Sequence, residues 1–205
     1  MQAVEHLRAA DPVMARIIDT VGVDSLGERP REVPRDHYGA LVRTIVGQQL
    51  STRAARAIYQ RLSDRYGGRA PTPDEILAED PDELRTAVGL SHAKVRYLRS
   101  LAEHVLDGSL DLDHLAELDD DAVIAELTAV SGIGPWSAHI FLIVHLGRED
   151  VLPVGDLGIR KAFQVDYGLP NLPSADEMER IAEPWRPYRT LASRFLWRSL
   201  NAAPV

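Results

Sequence analysis

The chain of 205 residues contains no cysteine, so disulfides, thiolate-bound zinc and cysteine-held iron–sulfur clusters are all excluded. No run approaches the ~20 apolar residues of a membrane span, and the opening MQAVEHLRAADP lacks the apolar core of a signal peptide. A soluble, intracellular chain of cytoplasmic, bacterial type is therefore expected. Clear strand alternation is missing, and no low-complexity linker divides the sequence. An excess of positive charge is missing too: the net charge is −8. That runs against a nucleic-acid partner, whose phosphates are normally neutralised by lysine and arginine.

What is present is helical spacing. A hydrophobic content of 45% suffices for a proper core, as one domain or as two small lobes. Apolar residues recur with helical period in Pro12 to Val21, Tyr38 to Val46, Ser51 to Tyr66, Ala93 to Leu106, Ala122 to Ala129 and Tyr188 to Leu200. Breakers fall between them at Gly22 to Pro34, Gly67-Gly68, Pro71 to Pro73, Gly108 and Gly168 to Pro173. The pattern predicts an all-α fold. The charges are uneven as well. Acids crowd Asp74 to Glu83, Asp111 to Asp121 and Asp176 to Glu183, while basic residues gather in Arg53 to Arg69, Lys94 to Arg99, Arg160-Lys161 and Arg186 to Arg198. A basic face with an acidic back fits this, as do helices with solvated mixed charge.

The most informative stretch runs from Leu127 to Phe163. Leu127, Val130 and Ile133 lie on one face of a helix predicted to end near Ser131, with positive φ expected at Gly132 and again at Gly134. Pro135 suits the first turn of a second helix, which Trp136 to Leu146 continues. Such a glycine hairpin offers backbone N–H groups at a positive helix end, and its small residues let a phosphate oxygen approach. The candidate donors are Ser131, Gly132, Ile133, Gly134 and Ser137. An ordinary helix-helix turn has the same composition. The linker from Gly147 to Gly155 spans up to about 30 Å if extended, against about 16 Å for the rise of the preceding helix. It is long enough to return Asp156 to the hairpin's side. Asp156 itself, flanked by Pro153, Gly155 and Gly158, reads as a helix N-cap or as a catalytic acid. Thr44 to Ser51 reads as a helix corner capped by Ser51. A weaker echo of the hairpin lies at Leu84 to Val95, with Lys94 a further candidate contact to DNA.

The order L-x-A-V-S-G-I-G-P-W-S-A, some twenty residues and then L-P-V-G-D-L-G-I resembles the helix-hairpin-helix (HhH-GPD) DNA glycosylases. More narrowly, it is similar to their alkylbase branch, typified by 3-methyladenine DNA glycosylase II, over about Asp11 to Trp197. The resemblance implies two helical lobes. Residues of about 1–35 and 147–205 would form one, and about 36–146 the other, carrying the hairpin 127–146, with no additional N-terminal β domain. It implies a monomer acting on double-stranded DNA with damaged bases. A nucleotide is flipped and the N-glycosidic bond of an alkylated purine is hydrolysed, in base excision repair. Asp156 would be catalytic, Trp136 and Trp197 would line the base pocket, and Gln49 would fill the gap in the duplex. Two departures stand out: an amide at Gln49 where an apolar wedge is usual, and Ile140 where a tyrosine is usual. Trp136 replaces the lysine of bifunctional relatives, and neither Lys94 nor Lys161 matches that position, so no strand cleavage is expected. Chemistry would need no cofactor. A structural Na+ or similar cation would sit on main-chain carbonyls of Thr128, Val130 and Ile133, and the missing cysteines set the chain apart from the cluster-bearing branch. Another lesion specificity, hypoxanthine or ethenoadenine, stays open, as does a non-catalytic DNA binder. The segment Glu183 to Arg189 resembles the Trp-Arg-Pro-x-Arg run before the family's last helix.

Overall fold

A computed structural model describes residues 1–26 and 36–202. Part of the breaker stretch Gly22 to Pro34, and with it the expected lobe boundary, lies outside the described residues. Every described regular element is helical, which makes the fold all-α. Two compact units divide the chain: Met1–Pro30 with Gly147–Val205, and Arg31–Leu146. Among the described residues no helix is long and apolar enough to cross a membrane.

In chain order the first unit opens with α1 (Gln2–Ala10) and α2 (Pro12–Val21). Asp11 makes the break between them. Its carboxylate accepts from the amides of Val13 and Met14 at 2.8 and 3.2 Å, capping α2, while Pro12 fills the first helical position. The second unit then runs through α3 (His37–Gly47), α4 (Thr52–Arg65), α5 (Pro73–Ala78), α6 (Pro81–Val88), α7 (His92–Leu106), α8 (Asp120–Ala129) and α9 (Pro135–Val144). The chain returns to the first unit with α10 (Leu157–Asp166), α11 (Ala175–Ala182) and α12 (Arg189–Ala202).

Asp11 is also the hub of the first unit. Its Oδ2 accepts from the Tyr167 hydroxyl at 2.6 Å and the Trp185 indole at 2.9 Å. Phe163 stacks on both Tyr167 and Trp185, with ring centroids 5.4 Å apart in each case. Around this cluster Leu7, Met14, Ile18, Phe195 and Leu196 are fully buried. Burial and the neighbouring carboxylate hold the Tyr167 hydroxyl well above its ordinary pKa.

In the second unit α3 is the inner helix. Seven of its eleven residues are buried, and it packs on α4, α7 and α9. Four helices were not apparent from apolar period: α1, α5, α6 and α11. They are short and charged, and their starts explain where the acids sit. Asp74 and Glu75 occupy the first turn of α5, Asp82 and Glu83 that of α6, and Asp176 and Glu177 that of α11. There they face the positive end of the helix dipole.

Candidate active site

The hairpin joins α8 to α9. The first helix stops at Ala129, Val130 is extended, and the Ile133 amide turns back to the Val130 carbonyl at 3.0 Å. Leu127, Val130 and Ile133 are buried together, while Ser131 and Gly134 are exposed. Gly132 takes the left-handed φ of +89°. It also has no room for a side chain, because a Cβ there would come within 2.1 Å of the Tyr97 ring. Gly134 departs from expectation. Its φ is −97° and it is the extended N-cap of α9. Its lack of a side chain matters for access instead: a Cβ there would meet nothing within 4 Å, and α9 starts with no side-chain cap. The first turn of α9 thus keeps its anion-binding character. The side chains of Ile133 and Ser137 point inward, being 4% and 2% exposed, so only their backbone is available to a ligand.

Ser137 is held by Gln48, a residue with no mark of that role in the sequence. The Gln48 side-chain amide donates to the Gly132 carbonyl at 2.7 Å and to the Ser137 hydroxyl at 3.1 Å. Gln48 therefore braces the hairpin from the turn between α3 and α4. No local spacing marks this role, since the partners lie 84 and 89 residues away.

The same turn carries Gln49. It is exposed, and among the described residues it is the one non-glycine with positive φ, at 56°. That conformation costs of order 1 kcal/mol and is retained where the surroundings enforce it. Beside it Leu50 is 39% exposed, so the tip offers an apolar side chain as well as an amide. Lys94 does not extend outward. Its ammonium donates to the Val46 carbonyl at 2.7 Å, satisfying the end of α3, and burial lowers its pKa. A cavity of about 370 Å³ lies between this turn, the start of α7 and Gly132 to Gly134. The echo at Leu84 to Val95 is a helix turn with Gly89 in the left-handed region. There Ser91 caps α7 through the Lys94 amide at 3.2 Å, the place left without a side-chain cap at α9.

In the first unit Asp156 is the N-cap of α10 and is half-buried. Its Oδ1 accepts from the Ile159 amide at 2.8 Å and from the Trp197 indole N–H at 3.0 Å. The segment leading to it is stapled to the start of α12. Thr190 Oγ1 donates to the Arg148 carbonyl at 2.7 Å and accepts from the Val151 amide at 3.0 Å. Arg189 and Arg186 both pair with Asp150, at 2.8 and 2.5 Å. The Trp-Arg-Pro-x-Arg segment thus fixes the approach to Asp156. Leu157, next to it, is 67% exposed.

Trp136 is half-buried at the start of α9, and Ile140 is half-buried on the same helix. Trp197 is likewise half-buried, between the buried Leu196 and the exposed Arg198. His145 stacks on Phe141 at 5.4 Å, and among the described residues no group of His, Asp and Glu is placed to hold a metal.

Known proteins are similar to this chain in sequence and in fold. A family described as "HhH-GPD superfamily base excision DNA repair protein" matches residues 42–187. DNA-3-methyladenine glycosylase 1 of Schizosaccharomyces pombe is 34% identical over 202 residues, covering 97% of this chain and 86% of its own length. The solved S. pombe 3-methyladenine DNA glycosylase in complex with abasic DNA superposes with a TM-score of 0.84 at 31% identity, over 96% of this chain and 95% of that one. A solved DNA-3-methyladenine glycosidase from Bacillus halodurans gives a TM-score of 0.79 at 34% identity, over 96% and 88%. With well over half of its residues inside the family match and its helical order reproduced in these relatives, the chain belongs to the HhH-GPD superfamily of base excision DNA repair proteins.

Proposed function

We propose that the protein is a monofunctional DNA glycosylase that removes alkylated purines of the 3-methyladenine and 7-methylguanine type from duplex DNA. The observation that carries this reading is the half-buried Asp156 carboxylate, oriented at the start of α10 by two N–H donors, in a chain whose relatives bear that activity in their names.

The chemistry asks little of the protein. A purine alkylated at N3 or N7 is already a cation, so when the C1′–N bond breaks, its electron pair leaves with a neutral base and no strong general acid is needed. Positive charge moves to the sugar. The Asp156 carboxylate stabilises that oxocarbenium-like centre, or orients the water whose oxygen bonds to C1′ while its proton passes to the carboxylate or to solvent. Trp136 supplies a flat face for the cationic base, worth about 0.5 to 2 kcal/mol. The amides of the hairpin hold a phosphate beside the flipped nucleotide, and the exposed Gln49 and Leu50 enter the duplex where it left.

Main-chain carbonyls of Thr128, Val130 and Ile133 would hold a monovalent cation between hairpin and phosphate. The Val130 carbonyl already accepts the Ile133 amide, and its second lone pair remains available. Such a neutral, oxygen-only donor set fits a hard cation of low charge.

The test is release of 3-methyladenine and 7-methylguanine from alkylated duplex DNA. Wild-type enzyme should release both, Asp156→Asn should lose at least a hundredfold in rate, and equal rates would remove the role given to Asp156. No strand nicking and no borohydride-trapped adduct should accompany release, because Trp136 stands where an amine would be needed. Ile140 stands where the family usually has a tyrosine, so the alternative specificity for hypoxanthine or ethenoadenine is tested beside this one. A panel of single-lesion duplexes decides it.

A further inference from the structure

Asp156 and Trp197 form a pair whose geometry says more than that both are near one site. A carboxylate held by a single capping bond still rotates, because the terminal torsion of aspartate is broad. Here a second donor arrives from another helix: the Trp197 Nε1–H meets the same Oδ1 that takes the Ile159 amide, at 3.0 and 2.8 Å. The indole edge lies along the first turn of α10. A Cβ on Gly158 would sit 3.5 Å from Trp197 Cδ1 and 3.0 Å from Asp156 Oδ1. The indole itself is anchored, since Phe195 and Leu196 before it are fully buried. Ser199 after it ties α12 to the end of α10 through Asp166 Oδ2 at 2.7 Å.

Resting on the reading of Asp156 as the catalytic carboxylate, we infer that Trp197 is a positioning residue that acts on the reaction through Asp156 rather than by stacking on the damaged base. Two donors from different helices fix the plane of the carboxylate before substrate arrives, and a hydrogen bond to a charged group is strong enough to hold it. Misplacing a catalytic group by a fraction of an ångström is costly in rate and nearly neutral in binding.

The experiment compares Trp197→Phe, Asp156→Asn and the double variant. The readouts are single-turnover excision from a 7-methylguanine duplex and affinity for a duplex with a tetrahydrofuran abasic analogue. Phenylalanine keeps an aromatic face and removes the N–H. The rate should fall on the order of 10- to 100-fold while affinity stays within about twofold, and the double variant should be no slower than Asp156→Asn alone. Gly158→Ala gives a second approach. Alanine suits the helix, yet its methyl crowds the Asp156 carboxylate while only touching the indole, and it should lower the rate with an unchanged melting temperature. Multiplying losses in the double variant, or weaker binding with an unchanged rate in Trp197→Phe, would assign Trp197 to stacking and overturn the inference. A fully active Asp156→Asn would overturn the reading beneath it as well.

Discussion

At the scale of single residues, the two glycines of the hairpin serve different purposes that one substitution each separates. Alanine at Gly132 would need a left-handed φ of +89° and would drive a methyl into the Tyr97 ring. Neither strain relaxes cheaply, because the hit is on a ring within the packed unit. Gly132→Ala should destabilise the protein by about 2 to 4 kcal/mol in urea unfolding. Gly134 has an ordinary φ and open space around it. Gly134→Ala should unfold within about 1 kcal/mol of wild type, yet weaken binding to tetrahydrofuran DNA on the order of tenfold, because the methyl would stand where the proposed function brings a phosphate. Equal stability losses would show that the difference in φ and space does not govern the hairpin. Gln48 makes a related case. Truncation to alanine removes its bonds to the Gly132 carbonyl and the Ser137 hydroxyl, and an expected loss of about 1 to 2 kcal/mol should appear in the same unfolding assay.

At the scale of elements, helix starts explain both the acidity of the chain and what its sequence disclosed. Eight helices were legible: seven repeat apolar residues at helical spacing, and α10 is marked by its cap at Asp156. The short α5, α6 and α11 were not, since eight residues or fewer hold too few repeats, although each begins with a capping residue and acids that mark it in retrospect. Asp156 was legible as a cap for the same local reason, from Pro153, Gly155 and Gly158. Its bond to Trp197 spans 41 residues, a distance at which one sequence carries no signal. Glu79, at the end of α5, gives these contacts a pH dependence. It pairs with Arg65 at 2.7 Å and accepts the Tyr66 hydroxyl at 2.9 Å. The Arg65 hydrogen bond, foremost, holds its pKa below the ordinary 4.5. A carboxylate depressed in the folded state contributes fully above its unfolded pKa, and the contribution fades as pH falls toward the folded value. Wild type should therefore lose stability from about pH 4.5 downward, and Glu79→Gln should lose less over that window. The difference should be no more than about 1 kcal/mol, given solvent screening. Urea midpoints at pH 6 and pH 3.5 measure it, and identical slopes would dismiss the contribution.

At the scale of the whole molecule, the proposed function asks how a chain of net charge −8 would hold DNA. The clustered basic residues do not form a bare cationic face. Arg65 and Arg69 pair with Glu79 and Glu75, and Arg186 and Arg189 pair with Asp150. Arg61, Lys94 and Arg99 donate to carbonyls at the ends of α6, α3 and α5. Arg160 is bound to the Pro173 carbonyl and Lys161 to Gln164. Much of the positive charge thus stabilises helix ends and loops, and in the proposed function grip on phosphate would fall to helix-terminal amides and to exposed arginines such as Arg53 and Arg96 on α4 and α7. Amide dipoles attract a phosphate without displacing counterions as a full charge does, so affinity should respond weakly to salt. With roughly two or three phosphates neutralised, raising salt from 50 to 200 mM should weaken binding about 10- to 40-fold, against the 10³- to 10⁵-fold loss of a protein making six to ten such contacts. Arg53→Ala should lower the slope of log K against log salt by about one, whereas Gly134→Ala should lower affinity at every salt concentration and leave the slope unchanged. A steep wild-type slope, or one that flattens when Gly134 is replaced, would mean that side-chain charge rather than the hairpin's backbone carries the grip.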